Sequence, residues 1–187
     1  MYAPDVPEIP DYGDARRLPE WYGPPQMVGG YVTGPLLLTR TDRAAVAVRQ
    51  VLAFPAGMEV EIEAHARGSS SARLPSGAPD WAAGSTLHFR VQFADGRAAV
   101  QDDEAGLRSG RGPTLVVRGS EISSGGAGGG EDIRMTLWIW PLPPPGPVLM
   151  TCSWPGQGLD EATVVLDATA IRAAASHAQP FWPARET

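Results

Sequence analysis

The chain has 187 residues, 43% of them apolar, which suits one domain with a buried core and argues against wholesale disorder. Its formal charge is −6 and every basic residue is arginine, so nucleic-acid binding, which depends on neutralising phosphates, is not expected. A single cysteine, Cys152, excludes an internal disulfide, and no stretch approaches the roughly 18 apolar residues that cross a bilayer, so no membrane partner is expected either.

Residues 1–30 read as an extended N-terminal arm. Prolines at 4, 7, 10, 19, 24 and 25 alternate with acidic and aromatic residues. Proline fixes φ and lacks a donor, so a regular element is not expected there. There is no apolar signal core, which makes the cytoplasm the expected location. Trp21 and Tyr22 are expected to lie against something.

Strand signals begin at residue 31. Leu36–Thr41 and Ala45–Pro55 are apolar, turn-bounded runs. Met58–Arg67 alternates strictly, with Met58, Val60, Ile62 and Ala64 on one face and Glu59, Glu61, Glu63 and His65 on the other. A loop of small residues with Trp81 follows. In Thr86–Phe93, Leu87, Phe89, Val91 and Phe93 share a face. Asp95-Gly96 is a hairpin signal, and Arg97–Gln101 is the expected return strand.

Thr114–Ser123 reads as a further strand, and Ser124–Gly130 as a glycine-rich linker. Asp132–Trp140 and Val148–Trp154 flank a proline-rich run, PLPPPGP, and are expected to pair with each other. Ala162–Asp167 is the last strand. Ala168–Ala178 is alanine-rich with Asp167 as N-cap, and Pro180 is expected to stop this helix. Phe181 and Trp182 follow as aromatic anchors or a sticky tail.

Many short strands, 22 glycines, 19 prolines and no βαβ alternation imply a mostly β chain. The expected fold is an antiparallel β-sandwich, immunoglobulin-like or jelly-roll-like, over residues 31–167, with one C-terminal helix and an aromatic tail over 168–187.

Motifs that specify a reaction are missing. There is no nucleophile elbow, and without lysine there is no Walker A loop. His65 and His88 form a zinc pair only if their strands are neighbours, and no metal or other cofactor is expected. Cys152 keeps phase with Val148, Met150 and Trp154, which implies a buried, inert thiol. Glu59, Glu61 and Glu63, and the run Asp102–Glu104, are carboxylates of the kind used in glycoside hydrolysis or calcium binding. Such alternation is nevertheless general for an exposed strand face.

One surface stands apart. Ile133, Met135, Leu137 and Ile139 point to the core, which leaves Arg134, Thr136, Trp138 and Trp140 facing outward. If the next strand pairs alongside, Leu149, Thr151 and Ser153 share that outer face. Exposed indoles require a cover: the chain's own arm or helix, a protein partner, or a flat ligand such as a sugar ring. The expected binding surface is therefore Trp138, Trp140, Arg134, Leu149 and Thr151. The expected function is a non-enzymatic module for protein interaction or assembly, with a second copy or another protein as partner. The alternatives are a carbohydrate- or small-molecule-binding domain and a carboxylate-dependent hydrolase.

Overall fold

A computed structural model of the chain describes residues 19–67, 87–101, 103, 106–107, 111–124 and 130–182. The loop with Trp81, Asp102, Glu104 and most of the glycine-rich linker lie outside the described residues.

The strands are β1 (Met27–Val28), β2 (Gly30–Thr33), β3 (Leu36–Arg40), β4 (Ala44–Phe54), β5 (Gly57–Ala66), β6 (His88–Gln92), β7 (Ala98–Val100), β8 (Thr114–Ser124), β9 (Glu131–Trp140), β10 (Pro147–Trp154), β11 (Leu159–Asp167) and β12 (Gln179–Pro180). A helix, α1, spans Ala168–Ala175. The larger sheet runs β2-β4-β5-β9-β8, with β3 beside β4 below β2. The smaller runs β11-β10-β6-β7. β1 and β12 form a separate two-stranded ribbon.

Alternation explains the sandwich. Met58, Val60, Ile62 and Ala64 of β5 are at most 1% exposed and share one core with Leu87, Phe89, Val91 and Phe93 in and beside β6, which are at most 2% exposed. β9 adds Ile133, Met135, Leu137 and Ile139, and β10 adds Val148, Met150, Cys152 and Trp154. Burying each large aliphatic side chain contributes about 1.5–3 kcal/mol, so this shared core is what holds the two sheets together. The sheets also approach at their margins: β11 runs alongside β3, and Gln101 just past β7 bridges to Leu115 of β8.

The Asp-Gly hairpin forms as its residues imply. Phe93 and Arg97 close the turn at 2.8 Å, the Asp95 carboxylate accepts from the Arg97 N–H, and Gly96 takes φ 85°.

Two expectations are corrected. β9 and β10 are not a pair: β9 lies between β5 and β8, and β10 between β6 and β11. The proline-rich run between them crosses from one sheet to the other. Its polar groups bind elsewhere, with Leu142 N–H on the Ala56 carbonyl and Arg172 on the Pro143 carbonyl. Seven residues of stiff backbone make a bridge rather than a tight turn.

α1 starts as expected, with Asp167 accepting from the Thr169 N–H at 2.8 Å. It ends at Ala175, before Pro180, because Gln179 and Pro180 must be extended to pair with Val28 and Met27. Ile171, Ala174 and Ala175 cap the core. Gly30 lets the helix come close, since a Cβ there would collide with the Ala174 carbonyl.

Candidate functional site

Trp138 sits on the outward face of the larger sheet. Its cross-strand row is Leu52, Glu59, Trp138 and Val116. It is nevertheless 0% exposed. The end of the N-terminal arm covers it. The indole Nε1 donates to the Glu20 carbonyl at 2.9 Å, and the ring meets Phe54 edge-on at 5.7 Å.

Arg118 holds the same segment. A bulge in β8 between Val117 and Gly119 sets Arg118 apart from the ladder. Its guanidinium stacks 4.8 Å from the Tyr22 ring centroid and donates to the Tyr22 carbonyl at 2.9 Å. The segment is itself turned, with Tyr22 N–H on the Pro19 carbonyl and Trp21 edge-on to Tyr22. Residues 19–23 thus form a strap. Of the three covers considered for the indoles, the chain's own arm closes over Trp138.

Glu59 stands next to Trp138 in the cross-strand row. Burial, then the neighbouring Glu61, push the Glu59 carboxyl above its ordinary range, while Arg118 opposes them.

Trp140 is half-buried at the end of β9, and a Cβ at Gly112 would lie 2.6 Å from its ring, so the loop before β8 lies against it. Leu149 and Thr151 are elsewhere. They face outward from the smaller sheet, in rows with Gln92 and Val165 and with Arg90 and Thr163, and Thr151 shares a hydroxyl contact of 2.8 Å with Thr163. The surface assembled from Trp138, Trp140, Arg134, Leu149 and Thr151 is therefore divided between the two opposite outer faces. The cause is the separation of β9 from β10.

Arg134 belongs to a charged field on the larger sheet. Cross-strand rows place Glu63 beside Arg134 and Glu121, and His65 beside Asp132 and Ser123. Glu63 receives Arg49 at 3.6 Å, Arg134 at 3.8 Å and the His65 ring at 3.4 Å. The other His65 nitrogen meets Asp132 at 2.6 Å. Glu61 accepts from Gln50 at 2.7 Å. Two shallow cavities open here, one of about 360 Å3 lined by Arg49, Glu61, Glu121, Arg134 and Thr136 over Gly119, the other of about 150 Å3 around His65 and Asp132. The acids Glu59, Glu61 and Glu63 stand along one strand, as one row rather than two walls, and each is buried or partnered.

His65 and His88 lie in opposite sheets, so they cannot share a metal. Among the described residues no group of three His, Cys, Asp or Glu is arranged to hold one. Cys152 is 1% exposed, and burial pushes its thiol up to about 11.

Sequence reasoning placed the aromatic tail without its partner. The Phe181 N–H donates to the Gln26 carbonyl at 3.3 Å, just past the end of the β1–β12 ribbon that carries Val28. Trp182 is 72% exposed, Phe181 60% and Val28 52%. Tyr31, just beyond on β2, is exposed as well.

No helix among the described residues is long and apolar enough to cross a membrane. The sequence matches no family model, and neither a curated protein nor a solved structure matches the chain.

Proposed function

We propose that this protein is a non-enzymatic module for protein interaction or assembly, and that its contact surface is the β1–β12 ribbon. One observation carries the reading: Val28 on the ribbon, and Phe181 and Trp182 just past its end, each keep more than half of their surface in water. Large aromatic side chains fixed in an exposed position supply contact area at little ordering cost, and Trp and Tyr are enriched among the residues that dominate interfaces. The partner is a second copy or another protein with an apolar depression. The surface first expected for this role, around Trp138, is already occupied by the strap.

The test compares the wild type with a Phe181→Ser/Trp182→Ser variant by sedimentation over a range of concentrations and by affinity capture from native lysate. The wild type should self-associate or retain one protein at fixed stoichiometry, and the variant should do neither. Wild type that remains a lone monomer in both assays rejects the reading.

The charged field favours a second reading, a site for a small polar ligand carrying both a cation and an anion. Arg49 and Arg134 face it together with Glu61 and Glu121 over a floor left open at Gly119. Its volume reaches the lower end of small-molecule sites. Calorimetric titration with amino acids and amino sugars tests it, and the absence of heat across that set would remove it.

A further inference from the structure

Where β4 begins and β5 ends, arginines from two segments of the chain meet around one hollow. Arg40 closes β3, Arg43 lies on the β3–β4 turn, and Arg67 follows directly on β5. Together with Asp42, Ala45 and His65 they line a space of about 370 Å3. Backbone bonds fix its frame. The Thr41 N–H donates to the Ala44 carbonyl at 2.7 Å, and the Thr41 hydroxyl oxygen accepts from the N–H groups of Arg43 and Ala44 at 3.2 and 3.1 Å. The Arg67 N–H donates to the Arg43 carbonyl at 2.7 Å, which ties one arginine-bearing segment to the other. Ala45 stands between Arg40 and His65 in one cross-strand row, and its short side chain leaves room between them.

The charge here runs against that of the molecule. The chain carries a formal −6, yet around this hollow three guanidinium groups face one carboxylate, a surplus of two positive charges with His65 neutral. Other guanidinium groups are engaged: Arg49 and Arg134 with Glu63, Arg97 with Asp95, Arg118 with Tyr22, and Arg172 with the Pro143 carbonyl. Among the described residues, Arg40, Arg43 and Arg67 have no ion pair and no side-chain hydrogen bond. The acids that flank His65 are themselves paired, Glu63 with Arg49 and Arg134, and Asp132 with His65 at 2.6 Å. Like charges gathered in this way repel one another, and an anion between them relieves the repulsion.

We propose that this hollow binds the phosphate group of a small, soluble phosphate monoester. Guanidinium groups present paired N–H donors that match the oxygens of a tetrahedral oxyanion. A phosphate monoester carries about −1.5 to −2 at neutral pH, which balances the surplus. The volume, at the lower end of small-molecule sites, holds the phosphate and a compact carbon skeleton, from whose hydroxyls Asp42 can accept. A nucleic acid fits less well, since one small basic hollow on an acidic chain neutralises few backbone phosphates. The site shares no residue with the Phe181/Trp182 ribbon or with the cavity lined by Arg49 and Arg134, so it stands or falls apart from both.

The test is calorimetric titration of the full-length protein at low ionic strength with glucose 6-phosphate, glucose and inorganic phosphate. Glucose 6-phosphate should bind at a single site, glucose should give no heat, and added salt should weaken the binding. Arg43→Gln and Arg67→Gln should each weaken it by about tenfold or more, the loss of a charge-assisted contact. Arg67→Lys, which keeps the charge without the fork of donors, should recover only part of that loss. Arg49→Gln and Arg90→Gln should bind as the wild type does. The substituted side chains are exposed, so the variants should melt with the wild type. Heat from inorganic phosphate that these substitutions abolish supports the phosphate site even where the glucose skeleton adds nothing. Three results overturn the proposal: no heat from either phosphate probe, an equal loss in Arg90→Gln, or a duplex oligonucleotide that binds through the same arginines more tightly than glucose 6-phosphate.

Discussion

The indole N–H of Trp138 donates to the carbonyl of Glu20 at 2.9 Å, a bond that spans 118 residues of sequence and joins the N-terminal segment to β9 of the larger sheet. It converts a tryptophan that alternation turns toward water into one of the most enclosed side chains in the molecule.

Trp138→Ala should therefore behave as a core truncation, costing about 3–5 kcal/mol. Trp138→Phe keeps a ring against Phe54 and loses the donor, and should cost nearer to 1 kcal/mol. Urea denaturation of the two variants measures both. A cost below about 1 kcal/mol for the alanine variant would mean that the strap is not seated in solution.

Glu59 makes stability depend on pH. Its folded pKa is raised above 4.5, chiefly by burial, so the folded state holds the proton more tightly than the unfolded chain does. The stabilisation from the protonated carboxyl is complete below 4.5 and is lost as pH rises through the folded value. At neutral pH the ionised group is a burden. Glu59→Gln should melt above the wild type at neutral pH, with an advantage that shrinks as pH falls toward 4.5. An equal or lower melting temperature at neutral pH would contradict this.

Cys152 should be chemically silent in the native protein. With the thiol pushed up to about 11 and enclosed in the core, thiolate is scarce and reagents have no approach. Maleimide labelling should be slow in native buffer and run to one thiol per chain in denaturant. Rapid native labelling would place Cys152 at the surface.

Among the described residues, two buried polar side chains have no hydrogen-bond partner: Gln157 at both amide atoms and Thr114 at its hydroxyl. A buried unsatisfied group costs about 1–3 kcal/mol, so a shape-matched apolar replacement removes a penalty. Gln157→Met and Thr114→Val should each raise stability, by about 1 kcal/mol, in chemical denaturation. A loss of stability in either would show that the group is satisfied in solution, for example by water.

Much of the strand content was readable from period-two alternation. Met58 to Ala64, Leu87 to Phe93, Ile133 to Ile139 and Val148 to Trp154 all put the expected face into the core. The candidate site was less legible. Arg134 and Trp138 do share the outer face of one sheet, but Leu149 and Thr151 were joined to them by assuming that strands adjacent in sequence pair. The proline-rich link instead carries the chain across to the second sheet. The ribbon was missed because two-residue strands have no periodicity to read.

The sequence by itself determined which side of each strand is apolar, the Asp-Gly turn, the Asp167 cap and the inert environment of Cys152. These follow from local stereochemistry, where alternating side chains and turn residues act within a few positions. Only the tertiary structure decided which strands are neighbours, that β9 and β10 belong to different sheets, that His65 and His88 stand apart, and that residues 19–23 close over Trp138. Those outcomes depend on contacts between distant segments, where the whole chain's packing and loop closure set the free energy and no local window contains it.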